Sequence, residues 1–158
     1  MELGCYKEGL KRLGLSLPKV QPPAFEYLPV VLHNNLAYVS GQLPWDKDFE
    51  SVLKGVLGGG LSVEDGQEAA RRCVLAGLGF LEAALGNFER LDRVIKISGF
   101  VTSAPGFHQQ PLVIDAASNL LVDLFGEKGR HARIAVGVHE LPRGSAVEIE
   151  FVFGLTDH

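Results

Sequence analysis

The chain is poor in the residues that cross-link small proteins or hold metals in them. It has two cysteines, one methionine and one tryptophan in 158 residues. Cys5 stands near the start and Cys73 inside an apolar helical pattern, so they provide neither a disulfide framework nor a metal-ligand spacing. Cys73 reads as a buried reduced thiol. Long apolar runs are missing too: nothing approaches the roughly 18 to 20 residues a membrane-spanning helix requires. The opening Met1-Glu2-Leu3-Gly4-Cys5-Tyr6-Lys7 lacks the charged-then-apolar order of a signal peptide. The expectation is a cytoplasmic protein with no membrane partner. Excess positive charge is also absent. The formal net charge is -4 and the basic side chains are scattered, which removes the footprint of a phosphate-backbone binder and makes nucleic acid an unexpected partner. The local basic groups, Arg71-Arg72, Lys128 and Arg130, read as solvated surface. No internal repeat or low-complexity stretch is present.

The length suits one domain over residues 1–158, with residues 1–16 as an N-terminal helical extension. Leu3, Leu10 and Leu13 predict a short leading helix over 2–13, closed by Gly14. Beyond Pro18, Pro22 and Pro23, a strand is predicted from Phe25-Glu26-Tyr27 through Val30-Val31-Leu32. It turns at His33-Asn34-Asn35 and returns along Leu36 to Ser40. A Gly-rich strand is predicted around Lys54 to Leu57. Ser62 and Asp65 resemble a capping pair for a long helix whose apolar face, Ala69 to Leu85, ends at Gly86. Val94 to Val101 is rich in β-branched residues and reads as a strand. A second helix starts near Pro111 and ends before Gly126. Strands Ala132 to His139 and Ala146 to Phe153 flank a five-residue loop, Leu141 to Ser145, of the length that closes an antiparallel hairpin. The fold class is therefore α+β: one sheet with two long helices on a single face, leaving the other face uncovered.

Chemistry is expected on that uncovered face. Alternation puts Ile134, Val136 and Val138 on one side of their strand and Arg133, Ala135, Gly137 and His139 on the other. In the last strand Val147, Ile149, Phe151 and Phe153 oppose Glu148 and Glu150. With Ile134 and Val147 toward the helices, the hairpin register brings Arg133 close to Glu148 on the open face. An arginine grips a carboxylate bidentately, and Ala135 and Gly137 leave room for a small molecule. A neighbouring glutamate with a raised pKa can hold a water and move protons. The same pair also suits a plain cross-strand ion pair. An uncovered sheet face is in addition a natural oligomer surface.

His131-Ala132-Arg133-Ile134-Ala135-Val136-Gly137-Val138, followed by Leu141-Pro142 and Val147-Glu148-Ile149-Glu150, resembles the C-terminal signature of the reactive-intermediate deaminase family, RidA or YjgF-like. Tyr38-Val39-Ser40-Gly41-Gln42 resembles its N-terminal signature, and the resemblance spans about Tyr27 to Phe153. It implies a chorismate-mutase-like trimer with a central β-barrel formed by three mixed sheets. By position, Arg133 corresponds to the arginine that holds the substrate carboxylate and Glu148 to the acid that positions or activates water. Tyr27 corresponds to a cleft tyrosine, and Gly41 falls where backbone lines the cleft. Ser118 stands where typical active members carry asparagine. Ala135 stands where many carry cysteine, and its backbone N–H would survive that change. The implied reaction is hydrolysis of enamines or imines, released by pyridoxal-phosphate enzymes, to 2-oxo acids and ammonia, with no cofactor or metal. The implied partners are a small carboxylate-bearing metabolite and two further copies of the chain.

Rival readings remain. Ser118, the extra N-terminal helix and the segment 103–110 suit a non-catalytic metabolite-binding trimer of the same family. The endoribonuclease activity ascribed to some members is a third reading, which the acidic chain does not favour. Tyr27 could instead be a strand aromatic against Tyr38, Trp45 could rim the cleft or pack its loop, and His108 could line it. His131 and His139, about 26 Å apart along an extended strand, cannot share a metal within one chain. Ser40 lacks the His and Asp of a nucleophilic triad.

Overall fold

The structure, a computed structural model, describes residues 5–157 and, of Cys5, the backbone alone. The elements are α1 (Cys5–Arg12), β1 (Val30–His33), β2 (Leu36–Gln42), α2 (Val63–Leu85), β3 (Leu91–Thr102), α3 (Gln110–Phe125), β4 (Ala132–Val138) and β5 (Val147–Leu155). Leu3 and the first predicted helical residues lie outside the described range. Gly14 holds the left-handed conformation, φ 67°, that the end of α1 needs.

The five strands form one mixed sheet in the order β1-β2-β5-β3-β4, antiparallel throughout except for the parallel β3–β4 pair. Helices α2 and α3 pack together on one face, as the sequence pattern predicts. Helix α2 begins on a complete capping box. Ser62 Oγ accepts from Asp65 N at 3.1 Å, and the Asp65 carboxylate accepts from Ser62 N at 2.9 Å, an arrangement worth about 1 kcal/mol. Its apolar face descends on β5, whose Val147, Ile149, Phe151 and Phe153 are buried. The approach is close because Gly77 has no side chain: a Cβ there would stand 2.6 Å from the Phe151 ring. Helix α3 carries Pro111 in its first turn and buries Val113, Ile114, Ala117, Leu120, Leu121 and Leu124. Helix α1 docks at the helical layer through Tyr6 and Leu10, the Tyr6 ring lying 4.5 Å from Phe88.

Three expectations are corrected. Strand β1 starts at Val30; residues 24–27 form bends with no partner strand. Pro29 offers no N–H, and the carbonyls of Leu28 and Pro29 are instead taken by Ser40, from its Oγ at 2.8 Å and its N at 2.9 Å. Residues 54–57 make only isolated bridges, Lys54 to Ser145 and Leu57 to Leu61 and Ser103, because Gly55 turns the chain at φ 133°. Most consequentially, β4 and β5 are not a hairpin. Both edges of β5 are occupied, by β2 and β3, so β4 lies beyond β3 and pairs with it in parallel. The connecting segment passes over the end of β3, where Thr102 N donates to Ala146 O and Ser103 N to Val138 O.

Candidate active site

The strand order separates the two residues that the sequence pattern brings together. Val39, Phe151, Ile97 and Arg133 share one row across the sheet, and the first three are buried against the helices. Arg133 therefore lies on the helical face, and Ile134 and Val136 point outward, 43% and 40% exposed. Glu148 opposes Phe100, which opposes Val136, placing Glu148 on the open face. Two strand spacings and three residues of rise put their Cα positions roughly 14 Å apart. Within one chain, Arg133 and Glu148 cannot act on the same small molecule.

Each has its own surroundings. Glu148 is half-buried in a cleft of about 410 Å³ whose lining includes Tyr27, Gly41, Phe25, Trp45, Phe49 and Arg143. The cleft thus unites three of the sequence-predicted site residues: Tyr27, Gly41 and Glu148. Tyr27, 52% exposed, stacks on Phe25 at a centroid distance of 6.5 Å, not on Tyr38. Gly41 lies directly against the acid: a Cβ there would collide with Glu148 Oε1 and stand 3.0 Å from Cδ. Burial raises the Glu148 pKa above its ordinary value, and repulsion from Glu150 adds to the rise. A carboxyl of this kind exchanges protons closer to neutrality than a solvated one.

Arg133 sits at the sheet edge over α3. Its Nη2 pairs with Asp115 Oδ1 at 2.7 Å and approaches Pro111 O at 3.4 Å, and its Nη1 donates to Ser118 Oγ at 3.1 Å. Ser118 Oγ also lies 2.9 Å from His131 Nε2, and His131 Nδ1 lies 2.6 Å from Gly129 O. The direction of this chain is determined by its ends. A carbonyl can only accept, so His131 Nδ1 carries a proton, and on the neutral ring Nε2 then accepts from the Ser118 hydroxyl while Ser118 Oγ accepts from Arg133. Burial lowers the His131 pKa, and the nearby Arg133 charge lowers it further, although the Gly129 bond opposes this. The neutral ring is thereby favoured. Ala135 packs against the core two residues along β4 from Arg133.

A model of the family described as Endoribonuclease L-PSP matches residues 18–153. The chain belongs to this family. Protein TCP17 of Trypanosoma cruzi is 44% identical over 155 residues, covering 98% of this chain and 96% of that protein. The crystal structure of a protein of unknown function from Agrobacterium tumefaciens superposes with a TM-score of 0.87 at 40% identity, over 97% of this chain and 95% of that one. RidA from the Antarctic bacterium Psychrobacter superposes at 0.61 with 26% identity, over 86% and 94%. The fold and the RidA or YjgF-like family membership expected from the sequence are therefore both established.

Two features of this L-PSP family chain escaped the sequence reading. Asp115, the partner of Arg133, was detectable in principle, since it lies three residues before Ser118 on the same side of α3. Arg143 lines the cleft although it reads as a loop residue, and its guanidinium lies 5.0 Å from the Trp45 ring. No sequence periodicity marks that contact. Arg71 and Arg72 form half-buried ion pairs with Glu68, while Lys128 and Arg130 form exposed ones with Asp92 and Glu127. Among the described residues, no helix is long and apolar enough to cross a membrane.

Proposed function

We propose that this chain hydrolyses enamine and imine intermediates to 2-oxo acids and ammonia, in clefts completed by a neighbouring copy of the chain. The observation that carries this reading is the half-buried Glu148, its pKa raised, in a cleft beside Gly41 and Tyr27. In the reaction, an enamine takes a proton on carbon and gives one up from nitrogen to become the imine. Water then adds its oxygen to the imine carbon, the C–N bond breaks, and nitrogen leaves as ammonia while the carbonyl forms. Glu148 accepts a proton from the attacking water and passes it to the nitrogen, then does the same with the hydroxyl proton as the carbonyl forms, so that both protons of the water leave with ammonia. Arg133 holds the substrate carboxylate, with Ser118 and Asp115 orienting it. Ala135 contributes backbone beside the same anchor.

Because Arg133 lies on the other face of its own sheet, the arginine serving a given Glu148 comes from the edge strand β4 of a second protomer. The exposed Ile134 and Val136 on that edge, with Tyr38 and Ile95 on the open face, suit burial against other copies. A closed ring of three copies gives every cleft one Arg133 and one Glu148.

The test couples a pyridoxal-phosphate dehydratase, which makes 2-aminoacrylate from serine, to this protein and measures pyruvate release. Wild type is expected to accelerate release, and Arg133→Ala and Glu148→Gln are expected to abolish the acceleration. Equal rates with and without the protein would overturn the reading. A second reading, a carboxylate-binding trimer without turnover, is favoured by one observation: Arg133 is already charge-paired by Asp115 and bonded to the serine that replaces the family's asparagine. It predicts Arg133-dependent thermal stabilisation by small carboxylates without turnover. Endoribonuclease activity finds no support in a cleft lined by Glu50 and Glu148 with a single arginine.

A further inference from the structure

The cleft contains a second cation to which the proposed hydrolysis assigns no task. The Arg143 guanidinium lies 5.0 Å from the Trp45 ring centroid, and Trp45 stacks on Phe49 at 4.5 Å with 19° between the planes. Phe49 in turn meets Phe80 of α2, a buried ring, edge-on at 5.7 Å. A ladder of rings thus connects the helical layer to the guanidinium. Both residues stacked on Trp45 hold left-handed backbone, φ 60° at Phe49 and φ 60° at Arg143. Bulky side chains rarely tolerate that conformation. Among the described residues, the other two non-glycine residues with positive φ are Asn34 and Asn35 of the hairpin turn, a residue type that accepts it readily.

The loop carrying Trp45 is held just as firmly. The Asp46 carboxylate accepts from Asp48 N at 3.2 Å, Glu50 N at 2.9 Å and Ser51 N at 3.0 Å. Backbone strain maintained around a stacked guanidinium in a cleft is an outlier that points to function. A guanidinium placed over a ring still has the N–H donors at its rim to offer a planar anion. Among the described residues Arg143 forms no ion pair, although Glu50 and Glu148 line the same cleft. Arg133, by contrast, is neutralised by Asp115.

We infer that Arg143, held on Trp45, is the specificity-determining residue that receives a second carboxylate, so that the cleft selects ligands and substrates with two acidic groups. The preferred substrates are then the imines of acidic amino acids, ahead of monocarboxylates such as 2-aminoacrylate, which the same cleft turns over less efficiently. The term substrate rests on the hydrolase reading; the ligand class does not.

The experiment compares wild type with Arg143→Gly, which suits the left-handed backbone and so preserves the fold, and with Arg143→Lys, which keeps charge without the stacking fork. Imines are generated by an amino-acid oxidase from glutamate and from norvaline, and 2-oxo acid release is followed. Wild type is expected to favour the glutamate-derived imine in kcat/KM. That ratio should fall about tenfold or more in Arg143→Gly, the scale of a lost charge-assisted pair, and part-way in Arg143→Lys. An unchanged ratio in Arg143→Gly overturns the assignment. If wild type hydrolyses neither imine, the hydrolase reading fails, and binding decides this one. Succinate should then raise the Tm more than butyrate in wild type but not in Arg143→Gly. Equal shifts by the two acids in wild type would overturn it.

Discussion

Gly41 and Glu148 occupy adjoining space so tightly that any side chain on the first would displace the carboxyl of the second. Gly41 shows no positive φ, so what position 41 lacks is room, not conformational freedom. Alanine there keeps the strand but pushes the Glu148 carboxyl out of its place in the cleft. Gly41→Ala is expected to lower kcat/KM by about 100-fold, the scale of a misplaced general acid–base group. Stability should change by no more than about 1 kcal/mol, since the glutamate can swing into open space. Parallel rate and melting measurements check this; a stability loss matching the activity loss would show Gly41 to be structural only.

The raised Glu148 pKa predicts a distinctive acid limb for the proposed hydrolysis. If the carboxylate is the working form, activity rises with pH through a midpoint above the ordinary carboxyl value of 4.5. Removing the like charge with Glu150→Gln should move that midpoint down, and Glu148→Gln should abolish the limb and cost about 100- to 10,000-fold in kcat. The stability sign follows from the same shift. The folded chain binds this proton more tightly than the unfolded one, so its contribution is present below 4.5 and lost as pH rises through the raised value. Glu148→Gln is therefore expected to gain stability relative to wild type above that window, as pH-dependent denaturant melts would show.

Much of the fold was legible in residue patterns, because the helical period, the Ser62–Asp65 cap and the terminal glycines each have a local cause. Pairing partners have no such local cause. Residues 132–139 and 146–153 alternate cleanly, and five residues join them, yet the preference of β5 for β2 and β3 depends on segments far away in sequence. The facing of β4 was ambiguous for a related reason. Both sides of Arg133-Ile134-Ala135-Val136 contain apolar residues, so period two does not say which side is core. The family signature located Tyr27, Gly41 and Glu148, which the structure brings into one cleft. It said nothing of Asp115, one helical turn before Ser118 on α3, or of the Trp45–Arg143 contact, which depends on loop geometry.

The Arg133–Ser118–His131 chain should make the anchor sensitive to pH. A protonated His131 would donate from Nε2, and the serine would have to reverse its hydrogen bond. The lowered His131 pKa means the unfolded chain binds this proton more tightly. Stability is therefore lost as pH falls from the ordinary imidazole value of 6.5 through the lowered folded value, and is unaffected above. His131→Gln is expected to remove that dependence while costing about 1 kcal/mol for a weakened hydrogen bond. Ser118→Ala should raise KM for carboxylate substrates several-fold and leave kcat nearly unchanged, because the Asp115 pair still holds the guanidinium. A fall in kcat alone would refute the positioning role.

The separation of Arg133 from Glu148 by β3 and by the sheet itself allows a decisive test in mixed assemblies. Arg133→Ala and Glu148→Gln homotrimers should each be inactive, since every cleft lacks one group. When the two chains are co-expressed in equal amounts, three quarters of the rings are mixed, and each mixed ring contains one cleft with both groups intact. About a quarter of wild-type activity should return, because the proposed head-to-tail ring pairs each arginine with the neighbour's glutamate. If both groups acted within one chain, mixing would restore nothing. Placing a charge on the outward edge, as in Ile134→Lys, should give a monomeric mass in sedimentation together with loss of turnover. A monomer that retained full activity would show that the cleft needs no neighbour and that Arg133 has no part in it.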